Sequence, residues 1–454
     1  MSGTPSTSGS SVKFSSKLAT VLVAAGCSVG LGNIWRFPYI AGEGGGAAFV
    51  ILYILCIVLI GHPIMIAEFA VGRSAHKSAV GAYRDLGGSK WTPLGYNGVL
   101  TAFIIMGFYY VVSGWTADYL VASVSGELAT YSTVDEYKDL FNSFVTHPWK
   151  PVIFTWIFVL VNHIIIDLGV AKGLERVAKV LMPMLFVILI LLAVNSITLP
   201  NSWDGVLFFI KPDFTKITPQ VVLTAVGQMF FTLSIGLGAL VAYGSYIPKE
   251  ADLRKTATQV TILDTLVAIL AGFIIFPAAA SVGIEPNAGP ALVFQTLPAI
   301  FNSLPMSSLW SSIFFLLLVV AALTSTMSLH EVVTVYLMEE HGLTRRVSTY
   351  ITSIGVCILS SIASMSLGVL SDWTIFGLTI FDAMDYLTAN IMLPVGGFVT
   401  AIFVGWFLQR SIFDDEITNS GKIKKGDLPF LYFSIRYICP IAIFIMFLDN
   451  LNIL

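Results

Sequence analysis

Residues 14–41, FSSKLATVLVAAGCSVGLGNIWRFPYIA, form an apolar segment whose middle is interrupted by glycines. Its length exceeds the roughly 20 apolar residues that a helix needs to cross the hydrocarbon of a membrane. Glycine is a poor helix former, so Gly26, Gly30 and Gly32 weaken the helix at its centre. A second segment of this kind, TLSIGLG at residues 232–238, lies in another apolar stretch. The two segments predict a membrane protein with two interrupted helices.

The composition excludes an ordinary soluble protein. Of the 454 residues, 56% are hydrophobic and only 11% are charged, against about 25% charged residues in soluble domains. The apolar runs are continuous, whereas the strands of a membrane β-barrel alternate in polarity, so the predicted fold class is all-α integral membrane. Eleven transmembrane helices are predicted, at about residues 14–41, 45–71, 92–124, 151–168, 173–199, 218–247, 256–281, 305–338, 347–368, 375–409 and 429–450.

The positive charges predict the orientation of the chain. With the N-terminus inside, 18 of the 24 Lys and Arg residues lie in cytoplasmic loops, where such residues are retained. The odd number of helices then puts the C-terminus on the outer face. Residues 1–12 have no apolar core of a signal peptide and are predicted to be a disordered tail. A single membrane domain is predicted over residues 13–454.

The interrupted helices are the first and the sixth. Because they lie five helices apart, a second unit would begin on the opposite side of the membrane, which predicts a five-plus-five inverted repeat. Helices 1 to 5 would cover about residues 14–199, helices 6 to 10 about 218–409, and helix 11 about 429–450. Paired interruptions at matching positions indicate the binding site of a transporter. The alternative is that the glycines only let helices pack closely.

Five ionisable residues lie inside predicted spans, where a charge is costly and usually faces a partner or a pathway: Arg36, Glu68, Asp264, Glu331 and Asp385. Arg36 and Asp385 either pair across an outer entrance or extend separately to the interface. Asp264 has no oppositely charged sequence neighbour, so its partner is either a basic side chain or a bound cation. Glu68 either accepts hydrogen bonds from amides freed at a helix break or reaches the interface.

Motifs of catalysis are incomplete in this chain. His330-Glu331 opens like the zinc motif HExxH, but residue 334 is Thr, so the second ligand is missing. The glycines at 42–46 lack the Gly-Lys-Ser/Thr ending of a phosphate-binding loop. The four cysteines lie inside predicted spans, and their spacing fits neither a disulfide framework nor a metal site. The sequence therefore argues against an enzyme.

Several motifs together resemble the neurotransmitter:sodium symporter family. They are GLGNIWRFPY at 30–39, GGGAAF at 44–49, YY at 109–110, GQMFFTLS at 227–234, ALTS at 322–325 and DAMD at 382–385. They occur in the order of the family, so the resemblance covers essentially the whole chain. It implies a bacterial sodium-coupled amino-acid transporter of the eleven-helix type, with helices 1 and 6 broken and related by the inverted repeat.

The resemblance also implies two sodium sites made of oxygen ligands, which suit hard cations. The first site would use the substrate carboxylate together with Ser28, Asn33, Thr232 and Asp264. The second would use main-chain carbonyls and two hydroxyls, from Gly26, Val29, Ala321, Thr324 and Ser325.

An amino-acid substrate would lie between the two breaks. Its carboxylate would meet the amides of Gly30, Leu31 and Gly32, where the helix dipole favours an anion, and the hydroxyl of Tyr110. Its ammonium group would meet carbonyls near Phe231, Thr232 and Ser234. The remaining expected contacts are Cys27, Met106, Leu237, Ser325 and Leu329. Monoamine carriers that resemble this chain have Asp at the position of Gly30, so Gly favours a substrate with its own carboxylate and an apolar or aromatic side chain.

The gates are also expected from the resemblance. Arg36, Asp385, Tyr110 and Phe231 would close the outer side, and Tyr246 and Glu339 the inner side. Where the family usually has Arg and Trp before helix 1, this chain has Ser11 and Phe14, with Lys13 and Lys17 nearby, so the basic partner of the inner gate stays open. Gly173 and Pro183 have the spacing that accompanies local unwinding in relatives, although Pro183 is also compatible with an ordinary kink.

Two departures from the family bear on chloride. Asp264 occupies a position that is Asn in many relatives, and Ala268 stands where chloride-dependent members have Ser. A fixed carboxylate beside the first sodium adds the same negative charge as a chloride ion. Chloride-independent transport is therefore predicted.

The predicted function is sodium-coupled import of a hydrophobic or aromatic L-amino acid by alternating access. The expected partners are the amino acid, sodium and the lipid bilayer of a prokaryotic inner membrane, and no nucleic acid. The alternatives are an amino-acid sensor that keeps the fold without a transport cycle, and an ion channel. Flux that saturates with substrate and scales with sodium separates the three.

Overall fold

A computed structural model describes residues 14–283, 292–302, 306–423, 426 and 428–450. The predicted tail over residues 1–12 lies outside the described residues. Most of the described chain is helical, and a short antiparallel hairpin pairs β1, Thr374–Ile375, with β2, Leu378–Thr379. The predicted all-helical membrane fold is confirmed.

The helices follow one another with short connections. Those before residue 211 are α1 Lys17–Ser28, α2 Gly32–Glu43, α3 Ala47–Ala75, α4 Ala79–Gly87, α5 Ser89–Val124, α6 Val134–Val145, α7 Lys150–Asp167, α8 Val170–Ile197 and α9 Trp203–Ile210. Those after it are α10 Pro219–Thr232, α11 Ala239–Tyr246, α12 Leu253–Ser281, α13 Leu297–Asn302, α14 Ser307–His341, α15 Arg345–Met365, α16 Ile380–Phe407, α17 Arg410–Thr418 and α18 Leu428–Leu448. We call the face with Phe14, α4 and α17 the inner face, and the opposite face, with α6, α9 and the hairpin, the outer face.

Within the described residues, nine helices are long and apolar enough to cross a membrane. The pair α1 and α2 passes the same test as one span that bends by 53°, which gives a tenth. The segment predicted at 218–247 is divided into α10, with 14 residues, and α11, with 8 residues. At about 1.5 Å per residue, neither piece is long enough to cross the hydrocarbon alone.

The first interruption follows from the backbone after Ser28. Val29 is extended, with φ −74° and ψ 110°, so α1 ends there. The amides at the beginning of the next helix then have no partner inside a helix. Side chains supply acceptors instead: Asn33 Oδ1 accepts from the Gly30 amide at 3.0 Å, and the Tyr109 hydroxyl accepts from the Leu31 amide at 2.9 Å. The break is thus stabilised by named hydrogen bonds.

The second interruption, at residues 233–238, contains three left-handed residues. Ser234, Gly236 and Gly238 have φ values of 54°, 87° and 76°, a region that glycine adopts without steric cost. The amide of Gly236 donates to Glu68 Oε1 at 2.8 Å. Of the two alternatives for Glu68, the structure therefore shows the first, a carboxylate that binds an amide freed at a helix break.

The helix after the second interruption, α11, packs directly on α3. A Cβ at Gly72 would collide with the carbonyl oxygen of Val241, and one at Gly244 would lie 2.7 Å from the carbonyl oxygen of Phe69. The two helices therefore approach backbone to backbone. At the same end of α3 the fully buried Arg73 binds Glu416 Oε2 at 2.5 Å and the carbonyl oxygen of Ala251 at 2.7 Å.

Candidate functional site

A cavity of about 40 Å³ lies between the two helix interruptions. The residues that line it are Cys27, Ser28, Gly30, Gly32, Ile105, Tyr109, Phe231, Thr232, Ser234, Leu237, Ser325, Leu329 and Leu393. Every predicted substrate contact is among them except Leu31, Met106 and Tyr110.

The tyrosine of α5 that faces the cavity is Tyr109, and the prediction of Tyr110 is wrong. The hydroxyl of Tyr110 lies 3.3 Å from His330 Nδ1, away from the cavity. Met106 is fully buried outside the lining, and Ile105 takes its expected place. Ile105 and Tyr109 lie four residues apart and therefore share one face of α5. Each precedes the predicted residue by one position, so both differences correspond to a single rotation of α5 by the angle of one residue. The adjacent tyrosines gave no sequence signal for which of them faces inward.

Asp264 lies at the centre of a cluster of oxygen atoms. Asn33 Nδ2 donates to Asp264 Oδ1 at 2.8 Å and to its carbonyl oxygen at 3.2 Å. Tyr53 joins the cluster, because its hydroxyl lies 2.8 Å from Thr232 Oγ1 and 3.3 Å from Asp264 Oδ2. Within the described residues Asp264 contacts no basic side chain. The structure brings together Asn33, Thr232 and Asp264 of the first expected sodium site, and Ser28 Oγ approaches the carbonyl oxygen of Leu233 nearby at 3.5 Å.

Tyr53 was missed from the sequence. Its residue type gave no signal, since the chain has 16 tyrosines, many of them inside apolar stretches.

The residues expected at the second sodium site lie together where α1 meets α14. The carbonyl oxygen of Val29 accepts from Thr324 Oγ1 at 3.2 Å and from Ser325 Oγ at 3.3 Å. Thr324 Oγ1 also donates to the carbonyl oxygen of Ala321 at 2.9 Å. A Cβ at Gly26 would lie 3.5 Å from Thr324 Cβ, so this glycine belongs to the same contact. Carbonyl and hydroxyl oxygens of this kind suit a hard cation.

Gly30 has no room for a side chain. A Cβ there would collide with Ser325 Oγ and lie 2.8 Å from the hydroxyl of Tyr109. At Gly32 a Cβ would lie 2.7 Å from the ring of Phe231. The protein therefore brings no carboxylate of its own to the amide end of α2, where a helix favours an anion.

The outer side of the cavity is covered by an arginine and an aromatic ring. The guanidinium carbon of Arg36 lies 4.5 Å from the ring centroid of Phe231, which is a cation–π contact. Arg36 Nη1 is buried without a hydrogen bond. In the part of the chain that the structure describes, no ion pair joins Arg36 to the half-buried Asp385. The expected residues are close to the entrance, but the expected pairing is not formed.

The inner side contains an ion pair that was not predicted, between the fully buried Glu331 and the partly buried Arg345. The hydroxyl of Tyr246 donates to Glu331 Oε1 at 3.0 Å, and Glu331 forms an ion pair with Arg345. Arg345 Nε also donates to the carbonyl oxygen of Ile166 at 2.8 Å. Arg345 is thus the basic residue that the structure places beside Glu331 and Tyr246. Glu339 takes no part in this contact, contrary to expectation, because its carboxylate accepts from the Ser78 amide at 2.6 Å.

The segment before α1 contacts the same region. The amide of Phe14 donates to the carbonyl oxygen of Tyr246 at 3.1 Å, and their ring centroids lie 5.7 Å apart. The amide of Ser15 donates to Glu175 Oε2 at 3.0 Å, and Lys179 Nζ lies 2.6 Å from Glu175 Oε1. Ser11 and Lys13 lie outside the described residues.

The other expected feature of the inner side is the unwinding near Gly173 and Pro183. Gly173 lies in a wide π-helical turn, Val170–Leu174, at the beginning of α8, and α8 continues as a helix through Pro183. This structure therefore shows a helical irregularity at Gly173 and no break.

Comparison with known proteins agrees with this geometry. Residues 12–150 and 144–453 match the model of the sodium:neurotransmitter symporter family. The chain belongs to this family. The similar proteins are sodium-dependent transporters, so the chain is a transporter and not an enzyme.

The similar proteins match the symporter over nearly its whole length. A protein of Haemophilus influenzae, described as an uncharacterized sodium-dependent transporter, is 38% identical over 96% of this chain and 98% of its own length. The sodium-dependent transporter YhdH of Bacillus subtilis is 36% identical over 98% of both chains. The crystal structure of MhsT in complex with L-phenylalanine superposes with a TM-score of 0.89 and 40% identity, over 97% of this chain and 99% of that one.

Proposed function

We propose that this symporter imports a hydrophobic or aromatic L-amino acid together with sodium, by alternating access and without chloride. The observation that carries the proposal is Gly30. The site offers amides and a tyrosine hydroxyl to an anion, yet the collision of any Cβ with Ser325 excludes an acidic side chain there. A substrate must therefore supply the carboxylate. The similarity to MhsT, whose structure contains L-phenylalanine, supports an amino acid with an apolar side chain.

The lining of the cavity favours such a side chain. Ile105, Leu237, Leu329 and Leu393 face the cavity, and no charged side chain lines it within the described residues. Burying apolar surface against these residues contributes about 25 cal/mol per Å². The ammonium group of the substrate would lie at the carbonyls of residues 231–234, so that the two charges of the amino acid meet opposite helix ends.

Sodium would bind at both oxygen clusters as a second substrate. Asn33 belongs to the first cluster and Val29 to the second. Val29 begins the three-residue interruption, residues 29–31, and Asn33 is the second residue of the helix that follows it. A substrate carboxylate that completes the first cluster makes the two binding events depend on each other, which is the physical basis of coupling.

The complete architecture is part of this proposal. We assign α1 with α2, and α10 with α11, as the broken helices 1 and 6 of an eleven-helix transporter with a five-plus-five inverted repeat. The inner face would be cytoplasmic, the C-terminus would lie outside, and the membrane would be a prokaryotic inner membrane. The positive-inside rule supports this orientation.

The main test is uptake by purified protein in vesicles with an inward sodium gradient. Labelled L-phenylalanine and L-leucine should accumulate, with competition by apolar amino acids and loss of accumulation when sodium is equal on both sides. Accumulation of labelled serotonin or dopamine, with none for Leu, Tyr or Trp, would refute the substrate class. Binding of an amino acid with no flux would indicate a sensor, and flux that does not saturate would indicate a channel.

Chloride independence has its own test. Replacing chloride by gluconate should leave uptake unchanged, because Asp264 supplies the negative charge. Asp264→Asn should lower uptake strongly, and Asp264→Asn with Ala268→Ser should recover part of it only when chloride is present. Substantial loss of wild-type uptake in gluconate would overturn this part of the proposal.

A further inference from the structure

A cavity of about 270 Å³ lies on the inner face between the beginnings of α1 and α12. Its lining residues are Lys17, Leu18, Val21, Ala251, Asp252, Lys255, Thr256 and Gln259. None of them lines the central cavity, so this is a separate site with much more free space. It lies between α1, which ends at the first interruption, and α12, which contains Asp264.

The mouth of the cavity is positively charged. Lys17 and Lys255 come from different helices and are both exposed, and no ion pair engages either ammonium group within the described residues. The one carboxylate of the lining, on Asp252, caps α12 by accepting from the Lys255 amide at 3.2 Å. The N-terminal end of this 29-residue helix adds a partial positive charge. The balance of charge favours an anion.

The same cavity borders an apolar surface. Leu18 is 63% exposed, and Ile262 and Leu266, farther along α12, are 59% and 42% exposed. In a membrane protein such exposed apolar residues face acyl chains. The lysines lie where this surface ends, so a lipid whose acyl chain covered the surface would have its headgroup beside them. Clefts with basic residues at this depth bind anionic lipid headgroups.

We propose that this cavity binds an anionic phospholipid, with its phosphate between Lys17 and Lys255 and an acyl chain along Leu18 and α12. The lipid would connect α1 to α12. Assignment to the cytoplasmic leaflet rests on the orientation given under the proposed function, whereas the binding itself does not. Because the cavity is lined by both helices, a bound lipid would hold the beginning of α1 against α12.

The test uses thermal unfolding of the purified protein in uncharged detergent. Phosphatidylglycerol should raise Tm in a saturable way, and phosphatidylcholine with the same acyl chains should not. Lys17→Gln with Lys255→Gln should increase the half-saturating phosphatidylglycerol concentration about thirtyfold, at about fivefold for each lysine near a phosphate. Lys90→Gln with Lys422→Gln removes the same charge from the inner face elsewhere and should leave this concentration unchanged.

A second variant guards against a folding defect in the first. Gln259→Glu places a carboxylate in the cavity without removing either lysine, and it should also weaken the effect of phosphatidylglycerol. An equal response of the double-lysine variant and the wild type, or an equal loss in the Lys90 and Lys422 control, would overturn the proposal. So would a Tm rise of the same size with inorganic phosphate, which would indicate a soluble anion. No transport is measured, so this test and the uptake test fail independently.

Discussion

The inner and outer sides of the central cavity are closed by different chemistry. On the inner side, ion pairs join Glu331 to Arg345 and Glu175 to Lys179, and Phe14 packs on Tyr246. On the outer side, the Arg36 guanidinium lies over the ring of Phe231, and the described chain contains no ion pair with Asp385. The inner side thus depends on paired charges and the outer side on a cation over a ring.

The difference predicts which side opens more easily. Removing one partner of a buried ion pair costs about 3 to 5 kcal/mol, whereas a cation–π contact contributes about 0.5 to 2 kcal/mol. The outer closure is therefore the weaker of the two. Under the proposed import by alternating access, the outer side would open before the inner contacts are released.

The largest effect is expected from Glu331→Gln. It leaves the Arg345 guanidinium without its carboxylate, so the inner side should open far more often. Cys27 lines the cavity and reports this opening, because a membrane-impermeant maleimide reaches it only from an open side. Labelling of Cys27 from the inner face should rise at least about tenfold, and uptake should fall at least about tenfold, for a cost of this size.

The control for Glu331→Gln is Glu340→Gln on the same helix. Glu340 pairs with Arg84, whose side chain is 41% exposed, and pairs of this kind contribute about 1 kcal/mol or less. Labelling should then change little. Equal labelling in the two variants, measured with Cys27→Ala as the background, would contradict the special role of the buried pair.

The second-largest effect is expected from a substitution of Tyr109, which lines the central cavity. Tyr109→Phe removes the hydroxyl that binds the Leu31 amide and faces the cavity. A hydrogen bond to a charged carboxylate contributes about 1.5 to 3 kcal/mol, so substrate affinity should fall about tenfold to a hundredfold. Tyr110→Phe is the matched control and should change affinity by less than about threefold. Isothermal titration with L-phenylalanine measures both, and the opposite order would restore Tyr110 as the substrate contact.

A smaller effect is expected at the outer gate. Arg36→Gln loses the contact with Phe231 and should weaken substrate retention by about twofold to thirtyfold. Asp385→Asn should do less, because the two residues form no ion pair in this structure. A double-mutant cycle on substrate dissociation rates should give a coupling below about 0.5 kcal/mol, because the Coulomb attraction between the two side chains is not reinforced by an ion pair or hydrogen bond. A coupling above about 1 kcal/mol would show that they pair during the cycle.

The smallest effect is expected from Ser15→Ala. It removes the hydroxyl that binds Glu175, while the amide of residue 15 can still donate. Ser15 is exposed, so water competes for its hydrogen bond to the Glu175 carboxylate. The bond should therefore contribute only about 1 kcal/mol, and labelling of Cys27 from the inner face should rise about fivefold. Ser143→Ala deletes a hydroxyl on α6 of the outer face and should have no effect. No change in Ser15→Ala would mean that the amide alone holds this segment.

The parts of the site that could be predicted from the sequence are those marked by glycines or by charged residues inside apolar segments. The interruptions at Gly30 and Gly236 and the buried carboxylate of Asp264 are visible because each violates the pattern of an apolar helix. The choice between Tyr109 and Tyr110 is different, since neighbouring residues of one type differ only in helix rotation. The pair of Glu331 and Arg345 depends on how the chain turns between α14 and α15, which no local pattern records.

The contact of Gly72 with the backbone of α11 has a mechanical consequence. With no side chains between them, α3 and α11 act as one stiff element, and Arg73 ties the end of this element to residue 251. Next to α1, by contrast, lies a cavity of about 270 Å³. We therefore expect α1 to be displaced more easily than α3 or α11. A force applied at Phe14 in a single-molecule experiment should extract α1 at a lower load than any force that separates α11 from α3.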